Sequence, residues 1–370
     1  MRVLVVNAGS SSLKLSVLDG DEAVVSENLP TPQGRAGEDD VREAIERCRP
    51  VDAVGHRVVH GGDEFVEPVR VDDRVVRRLE ALADLAPLHQ PKSLRALELV
   101  GRVLPDVPAV ACFDTAFHAR IPPAAATYAL PAEWRKRWNL RRYGFHGLSH
   151  AYVAERVAEL AGRPAGGLRT VSCHLGAGAS LAAIDRGVSV DTTMGFTPLE
   201  GLVMATRSGS VDPGLVLWLE EHVGMPPTEL ASTLEHRSGL LGLTGSADMR
   251  AVLAAETAGD ADAGLAVEVY LHRLRREVAG MAAALGGLDA IAFTGGVGER
   301  SPEIRGRAAA GLAFLGVELD DGANAAAEPD AEIGRAGAPV RAFAIAARED
   351  VQIAREVRRV LGQSDNGGTE

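Results

Sequence analysis

The chain has 370 residues, room for two domains at roughly 150 residues each, and 46% of them are hydrophobic and 24% charged, the balance of a globular protein. That composition excludes a disordered tail, a collagen-like chain and a small disulfide scaffold. A net charge of −12 repels nucleic acid and anionic membrane surfaces, so any anionic ligand has to be held by local positive groups.

The opening residues carry one Arg and an apolar run only from Val3 to Val6. That is too short for the apolar region of a signal peptide, and no apolar stretch is long enough to span a bilayer, so the expectation is a cytoplasmic chain. Residues 3–29 read as strand, Gly/Ser-rich turn, strand, Asp19-Gly20 turn and strand. Helical patterns follow at 72–84 and 91–104, set apart by Pro87 and Pro91. Residues 108–114 read as a buried strand ending on an Asp, and 150–163 as a helix. At 168–187 the opening pattern returns, with His174 and Gly176 where the first copy has Asn7 and Gly9 and a one-residue offset afterwards, which suggests a duplicated domain.

Val267, Leu271, Leu274, Val278, Met281 and Leu285 form one apolar stripe on a helix at 262–286. A buried strand from 288 ends in a Gly turn before a helix near Ser301-Pro302. A strand at 340–347 and a helix at 349–361 close the chain, with a disordered tail at 362–370. Strands alternating with helices and hairpins predict an α/β protein of two similar halves, 1–149 and 150–361, the last helix packing back on the first half.

Three small-residue turns, each directly after an apolar strand, are what a phosphate-binding cleft needs: residues 7–14, 176–180 and 294–299. Neither a P-loop nor a complete G-x-G-x-x-G occurs. Ten histidines invite a metal reading, but His56/His60 sit in a β-rich segment and His146/His150 at a loop-to-helix junction, so a histidine zinc site is not expected. Cys48, Cys112 and Cys173 are odd in number and form no C-x-x-C, which argues against a disulfide framework. Ser11 and Ser12 lack a G-x-S-x-G frame and an evident base.

The strings NAGSSSLK, GHRVVHGG, APLHQP, FDTAFH, RRYGFHGLSH, CHLGAGAS, DTTMGFTPLEGLVMATRSG, SGLLGLTG and FTGGVGER resemble, in this order, the acetate kinase family over residues 3 to about 356. The resemblance implies the fold of actin, sugar kinases and Hsp70-type ATPases: two duplicated α/β domains around a nucleotide cleft, usually as a homodimer. It implies Mg2+ (or Mn2+) and ATP/ADP, with phosphoryl transfer to a small carboxylate giving acyl phosphate. Propionate kinase, or a nucleotide-binding relative without acyl transfer, are the alternatives.

By that resemblance Arg57 and Arg207 clamp substrate and transferring phosphoryl group, His146 steadies the transition state, and Asp114 orients Arg57 and the metal waters. Glu349, with Asn7 beside it, falls on the metal position. Val59, Leu88, Phe145 and Pro198 fall where the family lines its acyl pocket. Nucleotide contacts fall on Lys14, Ser10 and Ser12, on His174, Leu175, Gly176, Ala177 and Gly178, on Asp248, Met249 and Arg250, and on Gly296, Val297, Gly298, Glu299 and Arg300. The chain departs from the family pattern at Ala177, Ala205, Ser210, Gln90, Arg300 and Arg348; Arg348 either pairs with Glu349 and weakens Mg2+ binding or reaches the nucleotide. A carboxylate is already ionised at pH 7, so the implied chemistry needs no strong base, only positioning and charge stabilisation.

Overall fold

The computed structural model describes residues 1–8, 12–30, 37–83, 90–164 and 167–365. The chain divides into two compact units, one of Met1–Ala119, Phe145–Tyr152 and Arg348–Glu370, the other of Arg120–Gly144 and Val153–Ala347. Arg120–Gly144, ahead of the sequence boundary at 149/150, thus belongs to the second unit, and the last helix, beyond it, to the first.

In the first unit, β1 (Arg2–Ala8), β2 (Ser12–Asp19), β3 (Glu22–Pro30), β4 (Ala53–Val58), β5 (Val69–Arg70) and β6 (Ala109–Phe113) form one sheet in the order β3-β2-β1-β4-β6-β5. Strands β1, β4 and β6 run parallel. Leu4, Val6 and Val54 are buried on one face with the helices Glu38–Cys48 and Gln90–Val103, through Val41, Ile45 and Val100. The helix Glu349–Asp365 packs on β1, β4 and β6. It comes so close at Gly55 that a Cβ there would lie 2.8 Å from a Val357 methyl.

The second unit repeats this plan. Its strands are β7 (Arg169–Leu175), β8 (Ala179–Asp185), β9 (Val188–Thr192), β10 (Ala290–Thr294), β11 (Ala331–Glu332) and β12 (Arg341–Ala344), in the order β11-β12-β10-β7-β8-β9. Read from the other edge, this is the first sheet's connectivity. The register extends the match to single residues: Ala8 faces Leu13 as Leu175 faces Ala179. In each copy the next hairpin shifts register four residues further on, at Val17/Leu18 and at Ala183/Ile184. Four residues separate Ala8 from Leu13 and three separate Leu175 from Ala179, which is the one-residue offset read from the sequence. The helix Ala261–Ala284 buries Val267, Leu271, Leu274, Val278 and Met281, the expected stripe.

Two expectations need correction, and one helix had no expectation. The residues after β10 are not an open turn but a short helix, Gly295–Arg300. The last helix continues to Asp365 instead of stopping at 361. The helix Glu38–Cys48, with Val41, Ala44, Ile45 and Cys48 at helical spacing, went unread. Among the described residues no helix is long and apolar enough to cross a membrane.

Candidate active site

The first unit gathers charge at the carboxyl ends of its three parallel strands. Asn7 lies near the end of β1, Arg57 near the end of β4, and Asp114 directly follows β6. Arg57 donates from Nε to Asp114 Oδ1 at 2.9 Å and from Nη2 to Oδ2 at 2.6 Å, a bidentate fork. Its Nη1 donates to Asn7 Oδ1 at 3.1 Å. Glu349, first residue of the last helix, accepts from Asn7 Nδ2 at 3.0 Å and stands 3.6 Å from Arg57 Nη1. The Asp114 side chain is only 2% exposed. Burial alone would lower the Arg57 pKa, but the charges of Asp114 and Glu349 outweigh it and raise the value. Burial raises Asp114 above its ordinary value, with Arg57 pulling against it. Both Asp114 oxygens are engaged by one guanidinium, so this carboxylate aims Arg57 and is poorly placed to take a proton from a ligand.

His146 holds a left-handed backbone at φ 57°, a conformation that costs a non-glycine residue about 1–3 kcal/mol. The next residue explains what holds it there: Gly147 N donates to the Asp114 carbonyl at 2.8 Å, and a Cβ on Gly147 would run into that oxygen. The backbone of Asp114 therefore fixes the segment bearing His146 while its side chain fixes Arg57. Val59 and Phe145 are buried, the Phe145 ring 5.5 Å from that of His60. Gln90, the family departure, is fully buried and clips the backbone of His60, accepting from its N at 3.2 Å and donating to its O at 3.0 Å. Lys14 lies opposite Asn7 across the β1–β2 hairpin, and Ser12 opens β2. Ser10 and Leu88 lie outside the described residues.

The second unit presents backbone where the first presents charge. β10 pairs in parallel with β7, Thr294 beside His174, which sets the loop after Leu175 next to the start of the helix Gly295–Arg300. Gly295 has φ 76°, and a Cβ on it would lie 2.9 Å from Leu175 carbonyl atoms, so only glycine lets the two loops approach this closely. Gly296 faces open space. Gly176 N donates to Gly178 O at 3.0 Å, tightening the loop.

Arg207 rides on a separate loop tied to this one, since Ala205 N donates to Ala177 O at 3.1 Å. Ser210, another departure, closes the loop by accepting from Gly201 N at 3.1 Å through its hydroxyl. Burial lowers the Arg207 pKa, opposed by Glu235, and its Nη1 donates to Pro198 O at 3.4 Å. Pro198 in turn belongs to a segment held by Tyr128, which donates to Glu200 at 2.6 Å, and by Arg142, which reaches Glu200 at 2.7 Å.

Not every expected nucleotide residue joins these loops. Asp248 caps the helix Met249–Thr257 and pairs with Arg250, whose side chain is 87% exposed, while Met249 is buried. Val297 and Gly298 lie within the short helix, and Glu299 accepts from Ala347 N at 2.9 Å. Arg300 is exposed. Sequence reading missed Arg305, 1% exposed, which donates to the carbonyls of Gly298 and Glu299 and to Asn324, pinning the helix that carries Gly296. Its only sequence signal is an arginine one turn past Ser301-Pro302. Arg348 forks onto Asp350 at 2.9 and 3.1 Å and reaches the Asp21 carbonyl.

Among the described residues no three His, Cys, Asp or Glu side chains converge as a metal cage. Glu349, accepting from Asn7, is the carboxylate of this cluster that could hold Mg2+, an ion commonly bound by one or two protein carboxylates with phosphate oxygens and water.

The sequence profile of the acetokinase family matches residues 38–355. The acetate kinase of Leifsonia xyli subsp. xyli is 45% identical over 97% of this chain and 98% of its own length. That of Bacillus subtilis is 40% identical over 97% and 99%. Among solved structures, Porphyromonas gingivalis acetate kinase matches with a TM-score of 0.90 at 33% identity, covering 97% of this chain and 99% of its own. A propionate kinase from Francisella tularensis matches with a TM-score of 0.89 at 33% identity, again over 97% and 99%. The chain belongs to the acetokinase family.

Proposed function

We propose that this protein transfers the γ-phosphoryl group of Mg-ATP to acetate, reversibly, giving acetyl phosphate and ADP. The observation that carries the reading is the part-buried Arg57–Asp114–Asn7–Glu349 cluster at the ends of three parallel strands, in a chain whose curated relatives are acetate kinases. An ionised carboxylate oxygen attacks the γ-phosphorus while the bond to the bridging oxygen breaks, and ADP leaves with the electron pair. Arg57, aimed by Asp114, and Arg207 balance charge as two anions meet; His146 donates to the equatorial oxygens. Val59, Phe145 and Pro198 shelter the methyl group, and the glycine loops bind the phosphates through backbone N–H groups. Mg2+, when bound, neutralises phosphate charge, with Glu349 and Asn7 as its protein ligands.

The proposal includes a cytoplasmic homodimer. The helix Pro213–Glu221 supports the dimer: it buries no residue and leaves Leu215, Leu217 and Trp218 about half exposed.

Hydroxamate trapping of acyl phosphate with Mg-ATP, run in parallel on acetate, propionate and butyrate, tests the reading. It predicts product with kcat/KM highest for acetate. A higher value for propionate reassigns the substrate, which one methylene, worth about 0.8 kcal/mol, can do. No product from any acid, with ATP still bound, overturns acyl transfer.

A further inference from the structure

The peptide on each side of His146 is tied to one short segment of chain. On the far side, Gly147 N donates to the Asp114 carbonyl at 2.8 Å. On the near side, the Phe145 carbonyl lies 3.1 Å from Nε2 of His118, farther along the segment that Asp114 begins. Residues 114 to 118 thus grip both peptide planes that meet at the His146 Cα, where the backbone is left-handed. His118 is fully buried and ends the short 3-10 helix Ala116–His118, its own N–H bound to the Thr115 carbonyl at 3.1 Å. The rings of Phe117 and His150 pack on it at steep angles, 71° and 69°, with centroids 5.5 and 5.7 Å away. Burial keeps the imidazole neutral at pH 7, lowering its pKa to about 4. A neutral ring has one N–H, and a carbonyl oxygen can only accept, so that proton sits on Nε2 and points at Phe145.

We propose that His118 is a positioning residue for acyl transfer: by binding the Phe145 carbonyl it completes the hold on His146 and aims that ring at the transferring phosphoryl group. The inference rests on the role proposed above for His146. A left-handed residue persists where its surroundings over-determine it. With the Phe145 carbonyl released, the bond at Gly147 does not by itself fix the peptide before His146. A misplacement of about 1 Å in a group that meets the transition state costs on the order of a hundredfold in rate.

His118→Gln and His118→Asn, compared with the parent chain, test the role. The Gln amide nitrogen is as many bonds from the backbone as Nε2, whereas that of Asn stops at the place of Nδ1. Both are neutral amides, so burial bears on them alike. His118→Gln should keep at least about a third of the parent kcat for acetyl phosphate, and His118→Asn should lose at least about tenfold. ATP affinity, measured by calorimetry, should stay within about twofold of the parent in both, because the loops after β7 and β10 belong to the other unit. An Asn variant that matches Gln in kcat, or that loses ATP affinity together with kcat, overturns the inference and leaves acyl transfer standing. A parent chain that makes no acyl phosphate overturns the reading of the site, and this inference with it.

Discussion

The two sheets share strand order, hairpin register and even the place of a register shift, yet their strand ends carry opposite kinds of chemistry. Through the shared register, Asn7 corresponds to His174, Arg57 to Thr294 and Asp114 to Ala347. The first sheet fills these places with a guanidinium, a carboxylate and an amide that bind one another. The second places His174, Thr294 and Ala347 there and lets glycine-bearing loops run beside each other. Duplication supplied one frame of parallel strand ends, and side-chain choice made one frame a charge clamp and the other a bed of backbone amides. The first is vulnerable to loss of charge, the second to gain of a methyl group.

The largest effects should come from the arginines. Arg207→Ala should lower acyl phosphate formation at least about a hundredfold, measured by hydroxamate trapping. Arg57→Ala should do the same. It also strands the buried Asp114 without its partner, a loss of about 3–5 kcal/mol that a denaturant titration would register. On the other sheet, Gly295→Ala should cost about 1–3 kcal/mol and raise the KM for ATP, because the left-handed φ and the Leu175 backbone both oppose a Cβ. Gly296→Ala, one residue on in open space, should change stability by no more than about 0.5 kcal/mol.

Acid separates the units as well. Burial lowers the pKa of His56, His60 and His118, all in the first unit, from 6.5 to about 4. The unfolded chain therefore binds more protons than the folded one between these values. The stability these neutral histidines contribute is complete above pH 6.5 and drains as pH falls toward 4. Denaturant midpoints measured from pH 7 to 4 should fall, and His118→Gln should flatten the slope. The smallest effect belongs to Ala177→Asn: position 177 is exposed and holds Ala205 through its carbonyl alone, so stability should hold while ATP affinity rises modestly.

Much of this is legible in the sequence. The duplicated hairpins announced themselves because strand alternation and small-residue turns are local signals, and the Asn7/His174 equivalence holds to the residue. The short helix after β10 was not legible, since Gly295-Gly296 reads as a turn and it is Arg305, seven residues beyond Gly298, that secures the Gly298 and Glu299 carbonyls. Gln90 was visible only as a departure from the family. Its reason is tertiary, a clip on the His60 backbone thirty residues away. Arg348 was a threat to Glu349 on sequence spacing, but the helix start turns its guanidinium onto Asp350.

The most direct test of this division of labour measures ATP affinity and turnover together in Arg57→Lys and Gly295→Ala. Lysine keeps the charge but loses the fork, so Arg57→Lys should bind ATP within about twofold of the parent while kcat with acetate falls at least about tenfold. Gly295→Ala should lose ATP affinity first and keep most of its turnover at saturating nucleotide. The reverse pattern, with Arg57→Lys failing to bind ATP and Gly295→Ala binding it normally, would contradict the account.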